Sequence, residues 1–352
     1  MTPDVFFPIL RDKFRQAISK ESVITRSINV GEFIIQMNFA GPTLLSTFYN
    51  AYQHLHYSGD ATPDIRLYFW DTDSTGVSLN PIPWNVDEAQ HLGVIPSFTN
   101  DRFYTLQQHG SAAVYMLDTV ERENYYWVRS PKNIPWWESD FPLRMIFHWW
   151  LKDTPYQPVH AAAVGTENGG VLLVGKGGSG KSTSALFCIN SPLRLAGDDY
   201  VLLNCKDRIA YSLFSLTKVN LRSLTMLTNL GISPKQLKPP IEDKYRIMLY
   251  PDYKDSLIKK IPIVAVLLPQ VTQNTNTRME ACGSGEVLRA LAPTTLFQLP
   301  GLREQSFNKM TDFVRQVPGF RLMLGEDSPS LPEIIKTFVV SMNEKSNHEQ
   351  RV

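Results

Sequence analysis

The residues with the clearest chemical content lie in one run near the middle of the chain, VLLVGKGGSGKSTSALF. Gly175, Gly180, Lys181 and Ser182 fit the spacing G-x-x-x-x-G-K-[ST], and Gly177, Gly178 and Ser179 fall inside it. Each residue type has a reason to be there. Glycines let a backbone fold tightly and turn successive N–H groups onto phosphate oxygens. A helix that starts at the lysine presents its positive end to the same anion. Lys181 is expected to reach the β- and γ-phosphates, Ser182 to place its hydroxyl on Mg²⁺, and Thr183 to offer the next hydroxyl to the α-phosphate. Gly175, Gly177 and Gly180 also fit G-x-G-x-x-G, but a dinucleotide loop gives Lys181 and Ser182 no task. ATP and Mg²⁺ are therefore the expected cofactors.

Further along, LAGDDYVLL places Asp198 and Asp199 side by side. A usual Walker B strand has its apolar run before the Asp, whereas here the run follows the pair. Neighbouring side chains on a strand point to opposite faces. Two adjacent carboxylates in one site thus require a bent, strand-opening segment, one holding Mg²⁺ and the other taking a proton from an attacking hydroxyl. A solvated turn is the plainer alternative. His160 opens HAAAVG just ahead of the loop, where a core or turn histidine is the plain reading. The remaining histidines show no ligand spacing, and histidine-based metal binding is not expected. Lys218 in SLTKVN, and Lys244 and Arg246 in EDKYRIMLYP, add cations. Transfer of a mobile γ-phosphate calls for an extra cation over the transition state, and Arg246 or Lys218 is expected to supply it. The alternative for both is an ordinary surface charge.

These side chains need elements to hold them. Val5, Phe6, Ile9, Leu10, Phe14 and Ile18 recur at helical spacing and predict a helix over residues 4–19. GEFIIQMNF, IRLYFWD, SAAVYMLD and NYYWVRS predict strands, and TLLSTFYNAYQHL a helix, so residues 1–140 are expected to form a mixed α/β domain. Residues 141–345 are expected to form the catalytic domain. It opens with the helix PLRMIFHWWLKD, and the apolar strand Val171–Val174 leads into the glycine loop and a helix. YVLLN and IAYSLF predict a hairpin, and IPIVAVLLP a buried strand. A helix follows over REQSFNKMTDFVRQV with Phe307, Met310, Val314 and Val317 on one face, and FRLMLG and PEIIKTFVVSM close the domain as strand and helix. The last ten or so residues are expected to fray. Trp70, Trp84, Trp127, Trp136 and Trp137 are expected in the core and at the domain interface, with a peptide groove as the alternative. The stretch LRALAPTTLFQLPG carries no chemistry that residue types alone reveal.

Composition removes several classes. The 352 residues hold 35 Lys and Arg against 34 Asp and Glu, a formal charge of +1. A dedicated nucleic-acid binder would carry a basic excess, so no nucleic-acid partner is expected. No run approaches the roughly 18 apolar residues of a spanning helix, so no membrane partner is expected. The charged N-terminus lacks a signal-peptide layout. Three widely spaced cysteines, Cys188, Cys205 and Cys282, exclude a disulfide framework and a cysteine zinc site. A cytoplasmic location is the expectation.

Together, His160, the loop Gly175–Ser182 and Asp198-Asp199 resemble the catalytic domain of HPr kinase/phosphorylase, in order and in spacing, over about residues 155–255. That family shares its fold group with phosphoenolpyruvate carboxykinase. The resemblance implies a P-loop-containing α/β catalytic domain with a mixed sheet, here preceded by a mixed α/β N-terminal domain. It implies an ATP-dependent kinase of a hydroxyl, with Lys181 and Ser182 on the phosphates and Mg²⁺. Asp198 would be the base, His160 would tune it, and Asp199 would hold the metal. The N-terminal 140 residues depart from the true HPr kinases, and their phosphorylase signature is not found. The whole chain is more similar to the HPr kinase-like serine kinases of natural-product clusters, some of which phosphorylate a lasso-peptide precursor. The expected acceptor is a serine of a peptide or small protein. The alternatives are a small-molecule hydroxyl and a nucleotide-binding regulator without turnover. A homo-oligomer is also open.

Overall fold

A computed structural model describes residues 1–229, 237–241, 243–327 and 330–349. The packing divides them into two units: Met1–Leu151 with Gln298–Leu302, and Lys152–Phe297 with Arg303–Val352. The first unit thus runs on to Leu151 and also takes in Gln298–Leu302. Both units are mixed α/β with mixed sheets.

In the first unit, α1 (Pro3–Ile18) begins with a proline, whose fixed φ suits a first helical turn. It buries Phe6, Phe7, Leu10, Phe14 and Ala17, while Val5, expected on that face, is 57% exposed. The strands are β1 (Val23–Val30), β2 (Phe33–Ala40), β3 (His56–Tyr57), β4 (Ile65–Asp71), β5 (Phe103–Gln107), β6 (Val114–Asp118) and β7 (Glu123–Val128). They form one sheet in the order β3-β1-β2-β4-β7-β6-β5, with parallel pairs only at β2/β4 and β4/β7. The short helices are α2 (Leu45–Tyr49), α3 (Thr72–Thr75), α4 (Trp136–Asp140) and α5 (Arg144–Trp150). The helix expected over 43–55 is only α2, tightening into a 3₁₀ turn over Asn50–Leu55. Trp70, Trp84 and Trp127 are core residues of this unit beneath α1. Trp137 is 39% exposed.

The second unit holds the glycine loop. Its strands are β8 (Tyr156–Val159), β9 (Ala162–Thr166), β10 (Gly169–Leu173), β11 (Arg194–Gly197), β12 (Val201–Asn204), β13 (Ile209–Ser212), β14 (Leu216–Asn220), β15 (Leu237–Ile241), β16 (Lys244–Met248), β17 (Lys260–Val271), β18 (Arg278–Cys282) and β19 (Gly319–Leu324). Its helices are α6 (Lys181–Phe187), α7 (Leu221–Asn229), α8 (Ser284–Gln298), α9 (Arg303–Gln316) and α10 (Leu331–Glu349). The main sheet has nine strands, ordered β11-β9-β10-β17-β13-β12-β8, with β19 beside β17 and β18 beside β19. The pairs β10/β17 and β17/β19 are parallel.

Alternation along the central strands explains why their sequences read as unbroken apolar runs. Val171, Leu173, Ala265 and Leu267 face one core, which includes Ala185 and Leu186 of α6 and Ile335 and Val339 of α10. Leu172, Val174, Val266 and Leu268 face a second core with Leu291 of α8 and Met310 and Phe313 of α9. A sheet covered on both faces needs apolar side chains at every position. Phe307, predicted on the buried face of α9, is 43% exposed, and Phe313 takes that place at 0%. The predicted Met310, Val314 and Val317 are buried, and with Ser306 and Phe313 they centre the stripe so that Phe307 falls at its solvent edge. The C-terminus, expected to fray over ten residues, stays helical through Glu349, and residues 350–352 lie outside the described residues.

A small antiparallel sheet, β14-β16-β15, stands apart from the main one. It sets Lys218 directly opposite Arg246, and Asn220 opposite Lys244. Opposed and alternate residues of such a pair share one face, so all four project to the same side.

Candidate active site

The glycine loop follows β10 and ends where α6 begins. Gly178 and Gly180 have φ of +80° and +105°, a region that side-chain-bearing residues enter at a cost. A Cβ on Gly180 would also sit 2.8 Å from Leu324 Cδ1. Gly175, at the start of the loop, offers its carbonyl to Lys181 Nζ at 2.7 Å, and Lys176 O accepts at 3.4 Å. Lys181 is thus folded over its own loop and 6% exposed. Burial holds its pKa below the ordinary lysine value, while the charges of Asp198 and Asp199 work in the opposite direction. Ser179 Oγ is buried with no hydrogen-bond partner.

The acidic pair sits at a kink. Strand β11 ends at Gly197 and β12 starts at Val201. Between them the Tyr200 N–H donates to Asp198 O at 2.8 Å, and Asp199 at the centre of that three-residue turn has φ +64°. A positive φ costs an ordinary residue about 1–2 kcal/mol, and Asp is among the few that tolerate it. The sequence therefore bends as the two adjacent carboxylates required. The neighbouring chain bends at the same level. β8 ends at Val159, opposite Val201, and β9 passes Ala163 opposite Gly197. Between those pairs the Ala161 N–H donates to Val159 O at 3.0 Å, making a second three-residue turn centred on His160. The two facing turns bring His160 Nε2 to 3.5 Å from Asp199 Oδ1.

The two aspartates differ in surroundings. Asp198 is 1% exposed. Ser182 Oγ donates to its Oδ1 at 3.1 Å, and Thr217 Oγ1 donates to its Oδ2. Burial, then the Asp199 charge, pushes its carboxyl upward despite these donors. Asp199 faces a cavity of about 660 Å³. Burial pushes its carboxyl upward too, but contact with His160 and the Lys218 ammonium outweighs this and holds it well below the usual carboxylate range. Lys218 Nζ lies 3.6 Å from Asp199 Oδ2.

The same cavity is lined by His160, by Gly177, Gly178 and Gly180 of the loop, and by Lys181, Ser182 and Thr183 at the head of α6. Thr183 Oγ1 also meets Ser223 Oγ of α7 at 2.7 Å. Of the cations foreseen from the sequence, Lys218 and Lys244 line the cavity, and Arg222 joins them. Arg246 does not line it among the described residues; it is 9% exposed on β16, across the strand pair from Lys218. Sequence reasoning missed Asn220, Arg222 and Ser223, because nothing marks the end of SLTKVN and the residues that follow it as facing the glycine loop.

The donors present fit Mg²⁺. That ion takes hard oxygen ligands, usually one or two carboxylates with the rest from water and phosphate. Ser182 Oγ and Asp198 Oδ1 supply such a pair. Among the described residues there is no cluster of three His, Cys, Asp or Glu side chains that could hold a metal without a substrate's oxygens. The three cysteines are free, and burial pushes the Cys188 and Cys205 thiols up to about 12. No described helix is long and apolar enough to cross a membrane.

No protein-family model and no curated protein matches this chain. Among solved structures, the chain is similar to the Hpr(Ser) kinase/phosphatase from Coxiella burnetii, at 14% identity and a TM-score of 0.26. That match covers 55% of this chain and 99% of the other.

Proposed function

We propose that the chain is an ATP-dependent kinase that transfers the γ-phosphate to a hydroxyl, with a serine of a peptide or small protein as acceptor. The observation that carries this reading is the pairing of Ser182 with Asp198 at the head of α6, while the adjacent Asp199 opens into the same cavity beside His160 and Lys218. An ATP-dependent kinase of this kind needs a phosphate cradle, a hydroxyl–carboxylate pair for Mg²⁺ and a second carboxylate for the acceptor. The serine acceptor follows from the resemblance of His160, the loop and the aspartates to HPr kinase.

In this reading the loop N–H groups and the start of α6 hold the phosphates, and Lys181 swings from the Gly175 carbonyl to the β- and γ-phosphates. Ser182 and Asp198 would hold Mg²⁺, which would neutralise phosphate charge when bound. Asp199 takes the acceptor role, the reverse of the division implied by the family resemblance, because it lines the cavity and Asp198 is buried against two hydroxyls. The acceptor oxygen forms a bond to the γ-phosphorus as the bond from that phosphorus to the β-bridging oxygen breaks. The hydroxyl proton passes to Asp199, and ADP leaves. A low carboxyl pKa suits this step, since in a loose transition state the carboxylate chiefly orients the hydroxyl and takes its proton late. His160 steadies Asp199, and Lys218 supplies the cation near the transferred group.

The test is calorimetric titration with Mg·ATP, combined with transfer from labelled ATP. Lys181→Ala should lose ATP affinity by about tenfold or more. Asp198→Asn should lose the Mg²⁺ dependence of ATP binding, and Asp199→Asn should bind Mg·ATP normally without transfer. Unchanged affinity in Lys181→Ala refutes the nucleotide reading. The opposite behaviour of the two Asn variants restores the implied division.

A further inference from the structure

The stretch LRALAPTTLFQLPG falls in α8 and the segment after it, and one of its side chains reaches the kink. Where β8 and β9 part around His160, the sheet ladder is interrupted. The Ala161 N–H is used inside the turn, bonded to Val159 O. The His160 N–H is left without a strand partner, and Thr295 Oγ1 of α8 accepts it at 3.1 Å, across 135 residues of sequence. Thr295 is 0% exposed. Removing the acceptor of such a shielded N–H costs up to about 1–3 kcal/mol, so the Thr295 hydroxyl holds the His160 amide in one orientation.

We propose that Thr295 is a positioning residue that fixes the His160 turn from the opposite face of the sheet and so aims the imidazole at Asp199. The inference rests on the reading of His160 and Asp199 as the acceptor end of the site. Among the described residues, two other contacts meet the ring. Tyr200 meets it edge-on, with centroids 5.8 Å apart, and Nε2 faces Asp199 at 3.5 Å, while Nδ1 has no hydrogen-bond partner. The orientation of the ring therefore follows the backbone, and the backbone follows Thr295. An alanine, or a valine of the same shape, would leave the turn's own Ala161–Val159 bond in place but free the His160 amide, and with it the ring, to pivot. Displacements of about 1 Å in such groups cost up to a hundredfold in rate.

The experiment compares the native chain with Thr295→Ser and Thr295→Val by NMR amide exchange and by basal hydrolysis of Mg·ATP. The His160 amide should be protected in the native chain and in Thr295→Ser. In Thr295→Val it should exchange at least about tenfold faster, the equivalent of one lost hydrogen bond, while the Ala161 amide keeps its protection. Basal kcat should fall about tenfold in Thr295→Val with KM for ATP within about twofold, and Thr295→Ser should restore it. In a His160→Gln background the same Thr295→Val change should have no further effect. An unprotected His160 amide in the native chain overturns the proposal, as does full additivity of the two substitutions or equal loss of protection at Ala161. Absence of basal hydrolysis in the native chain counts against the kinase reading, and the amide measurements still decide the role of Thr295.

Discussion

Gly180→Ala tests the loop most directly, because its cost can be worked from two independent features. At φ +105° and ψ 2° an alanine pays about 1–2 kcal/mol for the left-handed backbone. Its Cβ would also lie 2.8 Å from Leu324 Cδ1. Leu324 is 7% exposed and packed in the core that carries α6, so moving it adds a repacking cost of about 1 kcal/mol or more. The sum is about 3 kcal/mol, which at about 2–4 °C per kcal/mol lowers the melting point by about 6–12 °C. Gly177→Ala is the internal control. No atom lies within 4 Å of a Cβ there, and its φ is outside the left-handed region, so its effect should stay within about 0.5 kcal/mol. Differential scanning calorimetry of the three full-length chains reads the shift, and calorimetric titration with Mg·ATP reads binding. Gly180→Ala should weaken ATP binding as well, because it moves the N–H groups at the entry to α6. A melting point for Gly180→Ala within about 1 °C of the native chain, or an equal fall in Gly177→Ala, would refute the loop geometry.

Other expectations follow from single contacts. Phe313→Ala should cost about 3–5 kcal/mol and Phe307→Ala less than about 0.5, read as melting shifts, because the first is fully buried on α9 and the second is not. Lys218→Met should lower basal ATP turnover by about tenfold or more with little change in melting, since its ammonium lies 3.6 Å from Asp199. Burial brings Lys309 down to about 8 from 10.5, with its Nζ donating to Tyr156 O. The folded chain then binds fewer protons than the unfolded chain between pH 8 and 10.5, so this group makes stability rise with pH across that window, by about 2–3 kcal/mol. The difference between native and Lys309→Met stability, measured in urea from pH 7 to 10.5, should show that rise; a flat difference would refute the assignment.

The sequence made the glycine loop legible because apolar strand, glycines, lysine and helix are contiguous, and contiguous signals survive without tertiary knowledge. The bend at the aspartates was legible for a similar reason: two neighbouring carboxylates cannot share a site on a straight strand. The partner bend at His160 was not, since HAAAVG has neither strand alternation nor turn residues, and its kink is fixed by Thr295, far along the chain. The choice between Lys218 and Arg246 was also closed to sequence. Both stand on one face of a small sheet, side by side on neighbouring strands, and only Lys218 lines the cavity among the described residues. Along α9 and the residue after it, Met310, Val314 and Val317 are buried as their spacing predicts, and Phe307, at the edge of that stripe, gives way to Phe313 on its other edge.

The excursion of Gln298–Leu302 governs how this chain can be cut. The polypeptide passes from one unit to the other at 151/152, at 297/298 and again at 302/303, so no single scission separates them. Leu299 and Leu302 are 0% and 6% exposed, and Gly301 approaches Trp149 so closely that an added Cβ would lie 3.4 Å from its indole nitrogen. A fragment starting at Lys152 carries these leucines away from the unit they belong to, at about 1.5–3 kcal/mol of lost burial each. A fragment ending at Leu151 leaves their places empty. A piece that keeps the first core whole must therefore carry Gln298–Leu302 along with Met1–Leu151.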